Sequence, residues 1–206
     1  MKLIIFAISF PLFISALTAT PCTSGPPNLV TNCGFETGSF SGWTLSGYDS
    51  APGYQGIDYG VDASDAHSGL YGAYLGAFGG VLNLSQSLSV TPGTNYTISF
   101  WIAQSPMAAA PYLNSFSVSF GSSNLLSLTQ APNVPFTQYS FIAQASSAAA
   151  TLMFGFRDDL GFFSIDDISV AATIVPEPAV GRWQGFTVLA LGACSWLKKR
   201  SETRIS

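Results

Sequence analysis

The sequence predicts an all-β chain folded as an antiparallel β-sandwich, and three observations carry that reading. Apolar and aromatic residues recur with a period of two. No long stretch carries the 3.6-residue apolar stripe of an amphipathic helix. Turn residues separate the alternating runs at short spacing. Tyr96, Ile98 and Phe100 point one way while Thr97, Ser99 and Trp101 point the other. Phe116, Val118 and Phe120 alternate with Ser117 and Ser119, and Leu152, Phe154 and Phe156 keep the same period. Thr91-Pro92-Gly93-Thr94 predicts a turn between two strands, and Gly76 to Gly80 predicts another. Ala108 to Pro111 and Ser146 to Ala150 read as low-complexity loops.

One run breaks phase. In Phe163 to Val170, Phe163 and Ile165 share one parity while Ile168 and Val170 have the other, so the alternation slips at Asp166-Asp167. A slip of one residue requires a β-bulge, which re-aims a side chain. Two adjacent carboxylates in an apolar strand are costly to bury, so one of them is expected to meet a cation.

Charge confines the function classes. Of 206 residues only 9% are charged. Arg157 stands alone against nine acids from Glu36 to Asp167. A body this acidic lacks the clustered Lys and Arg that release counterions from a phosphate backbone, which excludes nucleic acid as a partner. Zinc is excluded by one His and three scattered Cys.

The two ends read as signals rather than fold. Residues 1–19 open with Lys2 and continue as a short apolar run ending in small residues, the order of a secretory signal peptide. Export implies an oxidising compartment, which makes Cys22 and Cys33 candidates for a disulfide across a short loop. Residues 175–206 hold Pro176-Glu177-Pro178, an apolar stretch from Phe186 to Leu197 and the basic cluster Lys198-Lys199-Arg200. Positive charge stays on the cytoplasmic side, so this end is expected to pause in the inner membrane. The order resembles the PEP-CTERM sorting signal. That resemblance implies an exosortase-type membrane protease as partner, transient inner-membrane anchoring and delivery to the cell surface or beyond. Its apolar stretch is 12 residues where a span needs about 20.

Between the signals, residues 28–173 carry a second resemblance. Asn28 to Trp43, the segment Ala66-His67-Ser68-Gly69 leading into Tyr71 to Leu75, Leu84 to Leu88, Tyr96 to Trp101 and Phe163 to Val170 resemble successive segments of carbohydrate-binding-module jelly rolls. Cys33 stands where that opening motif usually has Gly. The resemblance implies a jelly-roll sandwich and a structural calcium ion tying the first segment to the last strand. Glu36 and Asp166 would supply carboxylates, and Gly34 and Ser68 backbone carbonyls. Calcium prefers several oxygen ligands at flexible geometry, which agrees with such a set.

Other chemistry is thin. His67 is the single histidine and is expected to shape a turn. Asp58, Asp62 and Asp65 read as a solvated acidic loop. Asp158-Asp159 beside Arg157 reads as a turn with a local ion pair. Trp43 and Trp101 are expected in the core, whereas Tyr54, Tyr59 and Tyr112 lie outside the alternating runs and are the candidates for stacking on a sugar ring. The expected role is non-enzymatic: an exported surface or matrix protein that binds or organises extracellular polysaccharide. Two alternatives accompany it, a structural adhesion protein without a glycan site and a carbohydrate-active hydrolase or lyase.

Overall fold

The computed structural model describes residues 27–47, 56–104 and 112–173. These lie in the unit that ends at Thr173. The signal segment 1–19, Cys22, Tyr54 and Pro176, Glu177 and Pro178 fall outside the described residues.

Among the described residues ten strands form the body: β1 (Thr44–Gly47), β2 (Ile57–Asp62), β3 (Gly72–Ala77), β4 (Leu82–Ser89), β5 (Asn95–Gln104), β6 (Asn114–Phe120), β7 (Ser123–Thr129), β8 (Thr137–Gln144), β9 (Ala149–Asp158) and β10 (Phe163–Ala172). They build two five-stranded antiparallel sheets, in the orders β1-β4-β9-β6-β7 and β2-β3-β10-β5-β8. This is the predicted jelly-roll sandwich. Consecutive strands repeatedly cross between the sheets, so each sheet is assembled from distant parts of the chain.

Period-two patterning decides which faces meet. Leu82, Leu84 and Leu88 on β4, Phe116, Val118 and Phe120 on β6, and Leu152, Phe154 and Phe156 on β9 point inward from the first sheet. Ala73, Leu75, Ile98, Phe100, Ile165, Ile168 and Val170 answer from the second. Aromatic rings fill the centre. Phe154 meets Phe100 edge-on at 5.2 Å and Trp43 at 6.2 Å, while Phe116 lies 5.3 Å from Phe156 and 5.6 Å from Phe163. Such pairs add to the area term because the positive ring edge meets a negative ring face.

The segment before β1 contributes to the same core through Val30, Phe35 and Trp43. Gln86 secures it from within: its Oε1 accepts from Thr31 N, and its Nε2 donates to the carbonyls of Thr31 and Gly42, all within 3.0 Å. A buried amide satisfied at both ends costs little and fixes the segment's register on β4. The turn at Thr91–Thr94 forms as expected, with Thr94 N donating to Thr91 O at 3.1 Å and Gly93 at φ +79°. Proline followed by a left-handed glycine gives the type II turn.

Four expectations are corrected. Ser146 to Ala150 is not all loop, because β9 begins at Ala149, and Gly76 and Ala77 complete β3 before the turn that follows. Asp58 and Asp62 lie on β2, and Asp65 is buried rather than solvated, accepting at 2.5 Å from Ser164 Oγ. Trp101 keeps the outward parity of Thr97 and Ser99, and its exposed side is covered by His67 instead of the core.

Candidate functional site

The phase slip in the last strand is a bulge. Pairing of β10 with β5 shifts register between Asp166 and Ser169, and Asp167 takes φ +50°. Aspartate tolerates the left-handed region better than branched residues do, since its short polar side chain bonds locally. The bulge turns Asp166 into the protein, where it is fully buried. Its Oδ2 accepts from the amides of His67 (2.8 Å) and Ser68 (3.0 Å), and its Oδ1 from the amide of Asp167 (2.7 Å). Asp167 points to the other side. Its Oδ2 sits 2.7 Å from His67 Nδ1, and its Oδ1 accepts from Ser68 Oγ at 2.7 Å.

Three remote segments converge here. Residues 67–71 are held by Asp166 and Asp167 at one end and by Glu36 at the other, where both Glu36 oxygens accept from Leu70 N and Oε1 also from Tyr71 N. Gly69 permits that approach, because a Cβ there would fall 1.9 Å from Glu36 Oε1. The first segment is laced to β10 past the end of β3: Leu29 N donates to Val170 O, Ile168 N to Cys33 O, and the Asn28 side chain bonds Ile168 O and Val170 N. Sequence order separates these segments by some 140 positions, yet the hydrogen bonds place them side by side.

Asp166 has no basic partner among the described residues. Arg157 is bound to Asp159, and His67 to Asp167. Burial pushes the Asp166 carboxyl up to about 7; the neighbouring Asp167 charge adds to the rise while the three amides oppose it. The oxygens a hard cation could use here are those of the Glu36 and Asp166 carboxylates, which already accept backbone amides, and the carbonyls of Gly34 and Ser68, which no donor bonds among the described residues. Among the same residues no three His, Cys, Asp or Glu side chains form a metal-holding group, so a cation would depend on backbone oxygens as well. Cys33 is disulfide-bonded.

His67 is fixed rather than poised. Its ring stacks on Trp101 at 3.8 Å and 14° and meets the edge of Phe136 at 5.3 Å. The Ser68 hydroxyl donates to Asp167, not to His67, so no nucleophile–base pair exists there.

At the opposite end, Asp159 is a second brace that the sequence reading undervalued. Arg157 grips it with two bonds (2.9 and 3.1 Å), and its oxygens also accept from the amides of Gly79 and Leu113. Burial alone would raise its pKa, but Arg157 and the two amides outweigh that and hold it below the usual carboxylate value. This is a desolvated brace across two loops, not a surface pair.

Of the tyrosine candidates, Tyr112 is half-buried just before β6 with its ring 6.4 Å from Phe78. Tyr59 packs at 6.0 Å on Phe40 and is 45% exposed. The two rings pack on different aromatic partners. A feature the sequence reading missed is the outer face of the first sheet. Ser46, Asn83, Gly155, Ser117 and Ser127 form one row across it, and Thr44, Ser85, Met153, Ser119 and Asn124 the next. At the centre Gly155 has no side chain, and Asn83 and Ser117 close over it: a Cβ there would lie 3.2 Å from Asn83 Oδ1 and 2.6 Å from Ser117 Oγ. Among the described residues neither side chain bonds another protein group. Strand alternation marked these serines as outward, but only cross-strand register shows that they align.

Asp166 sets a pH dependence whose sign is the reverse of the usual salt-bridged carboxylate. Burial holds its folded pKa at about 7, above the ordinary carboxyl value of 3.8, so the folded chain binds a proton that the unfolded chain has lost. In metal-free protein, stability from this group falls as pH rises from about 4 to 7, by at most about 4 kcal/mol. Urea unfolding across that window is expected to show the decline in wild type and to lose it in Asp166→Asn; parallel profiles for the two proteins would contradict the burial.

Comparison with known proteins agrees with this architecture. Residues 27–125 match the family model of a carbohydrate binding domain. No curated protein matches the chain. Among solved structures it is similar to TmCBM61 in complex with β-1,4-galactotriose, at 22% identity and TM-score 0.52, covering 71% of this chain and 99% of that one. It is also similar to the CBM22-1 xylan-binding domain of Paenibacillus barcinonensis Xyn10C, at 15% identity and TM-score 0.50, covering 74% and 99%. The enzymatically active domain of bacteriophage CBA120 tailspike protein 4 gives 18% identity and TM-score 0.51; the likeness covers 71% of this chain but only 21% of the tailspike chain. These likenesses establish the fold as the antiparallel jelly-roll sandwich found in carbohydrate-binding modules.

Proposed function

We propose that this chain is an exported, non-enzymatic protein of the cell surface or extracellular matrix that binds polysaccharide on the outer face of the β1-β4-β9-β6-β7 sheet. The observation that carries the reading is the row across Gly155, where Asn83 and Ser117 present an amide and a hydroxyl with no hydrogen-bond partner among the described residues. A flat strip of unbonded donors and acceptors suits the hydroxyl-rich edge of a glycan, and Met153 beside it offers an exposed apolar contact. Tyr112, two residues before β6 and packed near Phe78, is the aromatic side chain assigned in this reading to stack on a ring. The match of residues 27–125 to a carbohydrate binding domain supports the class of ligand. Export and sorting rest on residues 1–19 and on Pro176, Glu177 and Pro178, with an exosortase-type protease as the partner that cuts there.

The same reading places a structural calcium ion at the bulge junction. Glu36 and Asp166 would hold it with the carbonyls of Gly34 and Ser68, and the ion would keep Asp166 ionised at neutral pH. The observation favouring it is the fully buried Asp166 carboxylate without a cationic partner among the described residues.

Two experiments test these readings. In affinity electrophoresis against polysaccharide-containing gels, the Asn83→Ala/Ser117→Ala variant is expected to bind about tenfold more weakly with an unchanged melting temperature, since one or two hydrogen bonds to ligand are lost and none within the protein. Equal retardation of variant and wild type would refute the face. Saturating calcium at pH 7 is expected to stabilise wild type by about 2.7 kcal/mol at a hundred times its dissociation constant, reversed by chelator and absent in Asp166→Asn. Identical melting with and without calcium would refute the ion.

A further inference from the structure

Among the described residues the sandwich has four edge strands: β1 and β7 in one sheet, β2 and β8 in the other. An edge exposes a row of unpaired backbone groups, and natural sheets block such rows with short strands, charges, bulges or proline. Three of these edges carry such a device. β1 is only four residues long. β2 bears Asp58 and Asp62. Pairing of β7 with β6 is broken by a register shift between Val118 and Ser119.

β8 carries none. Its eight residues, TQYSFIAQ, include no charge and no proline, and it pairs with β5 in unbroken register from Thr137 to Gln144. Among the described residues its backbone makes no hydrogen bond on the side away from β5. Ile142 is 64% exposed on this strand. Eight uncharged residues rich in β-formers, in unbroken register and open along one side among the described residues, are a template for another strand.

The sequence of β8 also indicates which strand. A two-fold axis through Ser140, perpendicular to the sheet, sets Tyr139 opposite the partner's Phe141, Gln138 opposite the partner's Ile142 and Thr137 opposite the partner's Ala143. Residues directly opposite in an antiparallel pair share a face, so this register keeps inward residues inward in both copies. Tyr139 and Phe141 are half-buried, with rings stacked on Phe100 at 5.7 and 6.3 Å, and the axis would continue that stack across the junction as two cross-strand aromatic pairs. Electrostatics agree. No Asp, Glu, Lys or Arg occurs between Asp65 and Arg157, a stretch that includes β5, β7 and β8, so the pairing brings no charged side chain of these strands against its like.

We propose that β8 pairs antiparallel with β8 of a second copy of this chain, joining two sandwiches through one continuous sheet centred on Ser140. The interface is separate from the glycan face and does not depend on it.

Sedimentation equilibrium of the full chain tests the register. Wild type is expected to be a dimer. The Gln138→Lys/Ile142→Lys variant places like charges directly opposite at two positions and is expected to associate about tenfold more weakly or worse. The Gln138→Glu/Ile142→Lys variant places opposite charges at the same positions and is expected to restore the dimer. Both positions are exposed, so near-UV circular dichroism should match wild type in each case. A monomeric wild type would overturn the proposal, as expected if β8 instead awaits a strand of another protein. Association indifferent to the charges, as expected if other parts of the chain drive it, would overturn it too, as would failure of the opposite-charge pair to restore it.

Discussion

The structure depends on one buried carboxylate. Asp166 accepts three backbone amides at a bulge, and two of those amides belong to a segment almost a hundred residues earlier in the chain. Without an acceptor there, the part-buried amides of His67 and Ser68 would each lose a hydrogen bond to a carboxyl group, a cost of about 1–3 kcal/mol. The same bulge turns the adjacent Asp167 outward to anchor the His67 ring and the Ser68 hydroxyl. Because the bulge resets the strand's phase, Ile168 and Val170 still reach the core beyond it. A single inserted residue thus reconciles an apolar strand with two carboxylates.

Around that junction the energetics are divided between apolar filling and polar braces. The aromatic centre of Phe100, Phe116, Phe154 and Phe156 is non-directional and could be met by many sequences. What selects this arrangement is a set of satisfied polar side chains reaching between distant segments: Gln86 on Thr31 and Gly42, Asp65 on Ser164, and Asp159 on Gly79, Leu113 and Arg157. Each fixes a loop whose own sequence has little preference. On the outer face of the first sheet the polar side chains carry little of this bracing: Ser85 Oγ donates to Thr44 O, and among the described residues those of Asn83 and Ser117 make no hydrogen bond, which is why the proposed ligand face is set there.

Much of this was legible in the sequence because strand alternation is a local signal. The parity of Tyr96 to Trp101, of Phe116 to Phe120 and of Leu152 to Phe156 assigned faces correctly, and the slip at Asp166-Asp167 located the bulge. Trp101 shows the limit of the method: its parity was read correctly as outward, but hydrophobicity argued for the core, and only the structure shows His67 supplying the cover. Asp65 was read as solvated, and Asp159 was read correctly as Arg157's ion-pair partner but without its burial, for a related reason. Their burial is created by Ser164 and by the loops at Gly79 and Leu113, which no local window contains. The row across Gly155 was invisible because alignment between strands depends on register, and register depends on turns and bulges far from the residues aligned.

Amide hydrogen exchange at His67 and Ser68 tests the role of Asp166 most directly. Both amides lie outside any strand, and a loop amide in solvent exchanges quickly. The account predicts protection comparable to the central strands in the wild-type chain and its selective loss in Asp166→Ala while β5 and β9 remain protected. Rapid exchange of these two amides in wild type would contradict it.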